Sequence, residues 1–142
     1  MASKGITSFS KEYAFLSNDY PCSIHYEGMD FPSVEHAFQA SKSWDVRDRL
    51  AISVAPSLGH LRQAAQRIQV RDDWEKDRLH IMWVLLTEKF RDPKLREQLL
   101  ATGDAVLIWR NRSDRFWGQV KGEGENWLGK HLMNIRKKLQ NS

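Results

Sequence analysis

A single cysteine in 142 residues rules out an internal disulfide, and a lone thiol, Cys22, suits a reducing compartment. Pro/Gly/Ser-rich linkers, internal repeats and low-complexity segments are all missing, so a single domain over residues 1–142 is expected. No apolar run approaches the roughly 20 residues that cross a bilayer. The first residues, Met1-Ala2-Ser3-Lys4-Gly5, lack the apolar stretch of a signal peptide. A cytoplasmic protein with no membrane partner is therefore expected. Standard catalytic signatures are absent too: there is no nucleophile elbow, phosphate-binding P-loop or C-x-x-C pair. His25, His36, His60, His80 and His131 never fall at H-E-x-x-H spacing, which argues against a zinc site. Cys22 as a nucleophile would need a histidine brought in by the fold.

What remains is an ordinary soluble composition, with 41% apolar and 28% charged residues. The formal charge of +4 leans toward anionic ligands, but the basic residues are scattered along the chain, which disfavours a sequence-specific DNA-binding protein. The one dense cluster, Arg136-Lys137-Lys138, suits the end of a helix, where the backbone dipole favours cations. Six tryptophans (Trp44, Trp74, Trp83, Trp109, Trp117 and Trp127) are too many for the core alone, and indoles are good surfaces for stacking a base.

The pattern predicts a mainly helical α+β domain with a small antiparallel sheet. Cys22–Tyr26 reads as a strand, Glu27–Asp30 as a turn and Phe31 as the start of a return strand. Helices are predicted over Asp45–Val54, over Pro56 to about Gln66, and over Asp73–Phe90, the longest, with Asp72 as its cap. Leu79, Met82, Trp83, Leu86 and Phe90 form that helix's apolar stripe. A further helix begins at Asp92-Pro93 and closes at Gly103. Ala105–Trp109 reads as a strand, and a final helix runs from about Trp127 to Leu139.

Three stretches carry chemical interest. Pro32-Ser33 opens a short helix on which Glu35, Gln39 and Lys42 share one face at about 100° per residue. The carboxylate and the amine then lie roughly 10 Å apart along the axis. That gap is too wide for an ion pair and wide enough for a small ligand, on whose sugar an acid and an amine can do covalent chemistry. Asp114 and Trp117 lead into a glycine-rich loop, Gly118, Gly122 and Gly124, which runs through Asn126 to a helix N-terminus able to hold a phosphate. Phe15-Leu16-Ser17-Asn18 sets a polar pair in an aromatic surround.

Taken in order, these residues resemble the NADAR (NAD- and ADP-ribose-associated), or YbiA-like, family. The resemblance runs through Phe15-Leu16-Ser17-Asn18, Tyr26-Glu27-Gly28, Ser33–Lys42, Arg71-Asp72-Asp73-Trp74, and Met82 with Lys89-Phe90. It continues through Leu99–Asp104, Asp114–Gly118 and Gly124–Lys130, covering about residues 8–139. It implies a metal- and cofactor-independent N-glycosidase that cleaves a ribose C1–nitrogen bond. The implied substrates are ADP-ribosylated guanine in nucleotides or nucleic acid, or phosphoribosylamino-pyrimidine intermediates of riboflavin synthesis. A catalytically weak ADP-ribose- or NAD-binding module is the alternative; no protein partner is implied. The resemblance assigns Lys42 a Schiff base with the opened ribose and Glu35 the proton transfers. Asp114 would steer the sugar hydroxyls or Lys42. Ser17, Asn18 and Gln39 would contact substrate, Trp74 and Trp117 would stack the base, and Gly118, Gly122, Gly124 and Asn126 would hold the diphosphate or sugar. One departure stands out: Trp109 occupies a position where the family usually carries a glutamate.

Overall fold

The computed structural model describes residues 5–142, so the start of the chain read above for a leader lies outside it. The chain divides into two units: Asn18–Lys89, and the chain up to Ser17 together with Phe90–Ser142. The mainly helical α+β architecture expected from the sequence is the one observed.

In the Asn18–Lys89 unit a two-stranded antiparallel sheet, β1 (Ile24–Tyr26) and β2 (Met29–Phe31), precedes four helices. The return strand begins at Met29, two residues before the predicted start. Glu27 and Gly28 both take positive φ (48° and 84°) and so close a two-residue hairpin. That register pairs buried Ile24 with buried Phe31, and leaves the His25–Asp30 hydrogen bond (2.8 Å) in solvent.

Helix α1 covers Val34–Ala40, α2 Val46–Ser53, α3 Leu58–Gln66 and α4 Trp74–Lys89. The first three begin at side-chain caps: Ser33 accepts from the His36 amide, Asp45 from Arg47 and Ser57 from His60. Pro56 therefore lies outside α3 rather than at its first turn. At α4 the first helical bond runs from the Asp77 amide to the Asp73 carbonyl, which moves the cap from Asp72 to Asp73. The buried face of α4 carries Trp74, Ile81, Met82, Leu85 and Leu86. It is rotated from the predicted stripe, because α1 and β1 both pack on α4 and widen the covered arc. Leu79 and Trp83 are left only half-buried.

The other unit contains a 3-10 helix (Lys11–Leu16), α5 (Pro93–Ala101) and α6 (Trp127–Gln140). Asp92 caps α5 by accepting from the Lys94 and Leu95 amides, and Gly103 (φ 66°) follows its C-cap Thr102. Buried Arg136 ties α6 to the end of α5, donating to Thr102 Oγ1 and the Ala105 carbonyl, each at 2.8 Å.

Ala105–Trp109 does not form the predicted strand. Among the described residues its pairing is reduced to a single parallel bridge between Ile6 and Leu107. Side chains take the place of the ladder: Asn126 bonds the Leu107 carbonyl and the Trp109 amide, and Met133 Sδ accepts from the Leu107 amide.

Gly129, inside α6, backs directly onto the Leu107 carbonyl and the Asn126 amide, where a Cβ would overlap both. Helix propensity alone favours alanine there by about 1 kcal/mol. Overpacking should reverse the sign, so Gly129→Ala is expected to destabilise by about 2 kcal/mol, read from the urea midpoint.

Candidate active site

Helix α1 stops earlier than its sequence pattern suggests, because Ser41 turns its hydroxyl onto the Phe38 carbonyl (2.6 Å) and caps the helix. Lys42 follows in a tight turn, its amide bonding the Gln39 carbonyl at 3.2 Å. Glu35 and Gln39 thus sit on the helix and Lys42 just beyond it. The turn is clamped from outside by Arg71, whose amide donates to the Lys42 carbonyl (2.9 Å) and whose Nε donates to the Ser41 carbonyl (3.0 Å). The Arg71 guanidinium also bonds Asp73 (2.9 Å) and Asp77 (3.0 Å).

The Lys42 amine is half-buried and lies 5.9 Å from the centre of the Trp74 ring. Burial lowers its pKa from the usual lysine range, while the Glu35 and Glu75 carboxylates pull it back up. Glu35 is held by Gln39, whose Nε2 donates to it at 2.7 Å, and its backbone amide bonds the Asn18 carbonyl. No direct Lys42–Glu35 ion pair forms among the described residues. Asn18 donates to Met82 Sδ at 3.7 Å, but its side-chain oxygen is buried with no partner. An orphaned buried acceptor is costly and fits a missing donor such as a sugar hydroxyl.

Buried His36 is structural. Its Nε2 faces the Ala55 carbonyl (3.2 Å) and its Nδ1 the Ser33 hydroxyl (2.6 Å). Lys89, in the motif segment but given no role by the sequence, is a second perturbed amine, with its pKa lowered to about 8 by burial. At 1% exposure it cannot meet a ligand, whereas Lys42 can.

The tryptophans assigned to stacking are the two most enclosed of the six. Trp74 is 6% exposed, packed on Phe38 at 4.9 Å between ring centres. Trp117 is 8% exposed and meets Phe116 edge-on at 4.9 Å. The exposed indole is Trp44, at 64%, which the sequence counted but gave no part.

The second unit holds Ser17, Asp114, Trp117, Gly118, Gly122, Gly124 and Asn126, and there the polar groups are spent on the loop itself. Asp114 Oδ1 accepts from the Phe116 (3.0 Å) and Trp117 (2.8 Å) amides. Ser17 closes the 3-10 helix through its amide. Asn126, 5% exposed, uses both ends of its amide on the 107–109 backbone, at 2.9 and 3.0 Å. The phosphate cradle expected ahead of α6 is filled: the Glu125, Asn126, Trp127 and Leu128 amides donate to the carbonyls of Arg115, Gly118, Phe116 and Trp117. Gly118 is required because a Cβ would strike the Trp109 carbonyl, and Gly124 because one would strike the Gly118 carbonyl. Gly122 (φ 82°) follows Lys121 (φ 53°) in a tight turn. These positions act on loop conformation.

Comparison with known proteins agrees with this architecture. A family model described as the NADAR domain matches residues 2–140. A riboflavin biosynthesis protein of Vibrio vulnificus is 39% identical over 134 residues, covering 92% of this chain and 36% of the relative, so the chain spans about a third of that protein. An N-glycosidase of Nostoc punctiforme is 33% identical, covering 91% of this chain and 87% of the relative. The N-glycosidase YbiA of Escherichia coli is 35% identical, covering 93% and 85%. The solution structure of E. coli YbiA superposes with a TM-score of 0.85 at 33% identity, covering 99% of this chain and 88% of that one.

Removing the Asn126 amide strands the buried Leu107 carbonyl and the partly buried Trp109 N–H together. Asn126→Ala should therefore cost about 2–3 kcal/mol of stability in chemical denaturation, well above an average surface substitution.

Proposed function

We propose that this chain, which belongs to the NADAR family, is an N-glycosidase in which Lys42 is the nucleophile and Glu35 the proton-transfer group, acting on an N-ribosyl conjugate of an amino-heterocycle. The observation that carries this reading is the Lys42 amine: reachable, half-buried, lowered in pKa and set across from a carboxylate without pairing to it. An amine that must attack carbon has to shed its proton first, and burial favours the neutral form.

The steps balance with these two groups and water. Glu35, as the carboxylate, takes the proton of the glycosidic N–H and passes it to the ribose ring oxygen as the C1–oxygen bond opens, leaving C1 doubly bonded to the base nitrogen. Neutral Lys42 Nζ adds to C1, and its two protons pass to the base nitrogen, which leaves as the free amine with the C1–nitrogen electron pair. Nζ becomes the imine nitrogen. Water, deprotonated by Glu35, adds to C1, expels Lys42 as the amine and leaves the sugar aldehyde, which closes to ribose. Gln39 orients the Glu35 carboxylate, and the unpartnered Asn18 oxygen accepts from a sugar hydroxyl. Arg71 is a positioning residue, holding the Lys42 turn without touching substrate. Asp114 and Asn126 are read as shaping their loop, in place of the sugar and diphosphate contacts expected of them.

The substrate favoured is ADP-ribosyl-guanine in a nucleotide or nucleic acid. The second reading, a phosphoribosylamino-pyrimidine, is supported by the 39%-identical Vibrio relative, named for riboflavin biosynthesis. Measuring base release from each substrate decides between them. Binding of ADP-ribose without any base release would instead favour a binding module, with Trp109 replacing the family's glutamate.

Lys42→Ala should abolish turnover while leaving the unfolding midpoint near wild type, and borohydride should trap the sugar on Lys42. Near-normal turnover in Lys42→Ala would sink the Schiff-base mechanism. The rate should rise with pH as Lys42 deprotonates. Glu35→Gln should slow turnover by about 10²-fold or more. Because Glu35 holds the proton on Lys42, the same variant should move the rising limb to lower pH. A limb that stays in place would remove Lys42 as the titrating group.

A further inference from the structure

Trp44 is large, apolar and 64% exposed, yet it is not loose. The Arg71 guanidinium lies 4.3 Å from its ring centre and that of Arg49 5.6 Å. Arg71 is itself immobilised, its side chain only 6% exposed and bonded to the Ser41 carbonyl, Asp73 and Asp77. An indole fixed from beneath and open above is a preorganised stacking surface, and ordering it costs a ligand little.

Beside it lies a cleft of about 540 Å³ whose charged lining is Asp45, Asp48, Asp72, Asp73 and Arg71. The single cation is already balanced by Asp73 and Asp77, so the cleft is net negative and repels phosphate. Asp45 is engaged by Arg47 and Asp48 by the Ser43 hydroxyl. Asp72 is exposed and makes no hydrogen bond or ion pair among the described residues. An aromatic surface edged by an available carboxylate suits a flat, neutral heterocycle carrying adjacent N–H donors, which a carboxylate accepts in pairs. The cleft shares Arg71 with the Lys42 turn: the same guanidinium that lines it bonds the Ser41 carbonyl and lies 5.7 Å from the centre of the Trp74 ring, which is 5.9 Å from the Lys42 amine.

We propose that Trp44 and Asp72 form the subsite for the departing base, Trp44 stacking the heterocycle and Asp72 accepting its amino and ring N–H groups, with the phosphates directed away. This rests on the N-glycosidase reading above, and its test separates the two. With the full chain, Trp44→Ala should raise KM about tenfold, the order of one lost base-stacking contact, with the loss falling on KM rather than kcat. Trp44→Phe should recover most of it. The indole N–H resonance of Trp44, identified by its disappearance in Trp44→Phe, should shift on titration with guanosine, and less with inosine, which lacks the 2-amino group. Asp72→Asn should erase that preference.

The titration needs no turnover, so it reads the subsite even if base release or the Lys42→Ala result defeats the catalytic reading. An unchanged KM in Trp44→Ala, or a Trp44 resonance unmoved by guanosine, overturns the proposal. So does loss of self-association in Trp44→Ala with KM intact, which would assign the indole to contacts between copies alongside exposed Val46, Leu50 and Val54.

Discussion

The position of Lys42 depends on Arg71. A lysine placed two residues past a short helix would ordinarily swing in solvent. Here two consecutive carbonyls of its turn are bonded by one arginine, through both backbone and side chain. The same guanidinium is shared with two carboxylates on or beside α4 and lies between two indoles. A planar, permanently charged fork can meet all these groups at once, which a lysine in its place cannot. Through that one side chain the end of α1, the start of α4 and the Trp44 surface share a geometry.

The other unit is organised by an amide rather than a guanidinium. Asn126 sits in the left-handed region (φ 55°) just before α6 and bonds both an acceptor and a donor on the 107–109 segment. Those two bonds replace a strand partner, and the glycines at 118 and 129 permit the close approach. The loop that looks in sequence like a ligand cradle is thereby closed on itself, with the first amides of α6 satisfied by carbonyls of the preceding turn. Helix N-termini attract anions only where those amides are unspent.

Much of the fold was legible because local rules act over a few residues. Ser33 and Asp92 open helices where a short polar side chain precedes a helical pattern, and the turn at Gly28 and the helix end at Gly103 need positive φ. The misplacements came where tertiary groups compete with local ones. Ala105–Trp109 has strand composition, but its partners are side chains from α6. The stripe of α4 was rotated because neighbours cover more than one face.

The chain's own order of residues determined the family, the α+β class, and the pairing of an acid with an amine around α1, since these depend on residue type and short-range spacing. Only the tertiary structure decided which of several similar side chains is available. Composition cannot tell a buried indole from an exposed one, and it favoured Trp74 and Trp117 where packing leaves Trp44 open. Nor can it tell a free amide from one already bonded, which is why Asn126 reads as a ligand residue in sequence and as a structural clamp in three dimensions. Burial and hydrogen-bond saturation are set by groups far away in the chain, and they leave Lys42 half-buried while sealing Lys89 in the core.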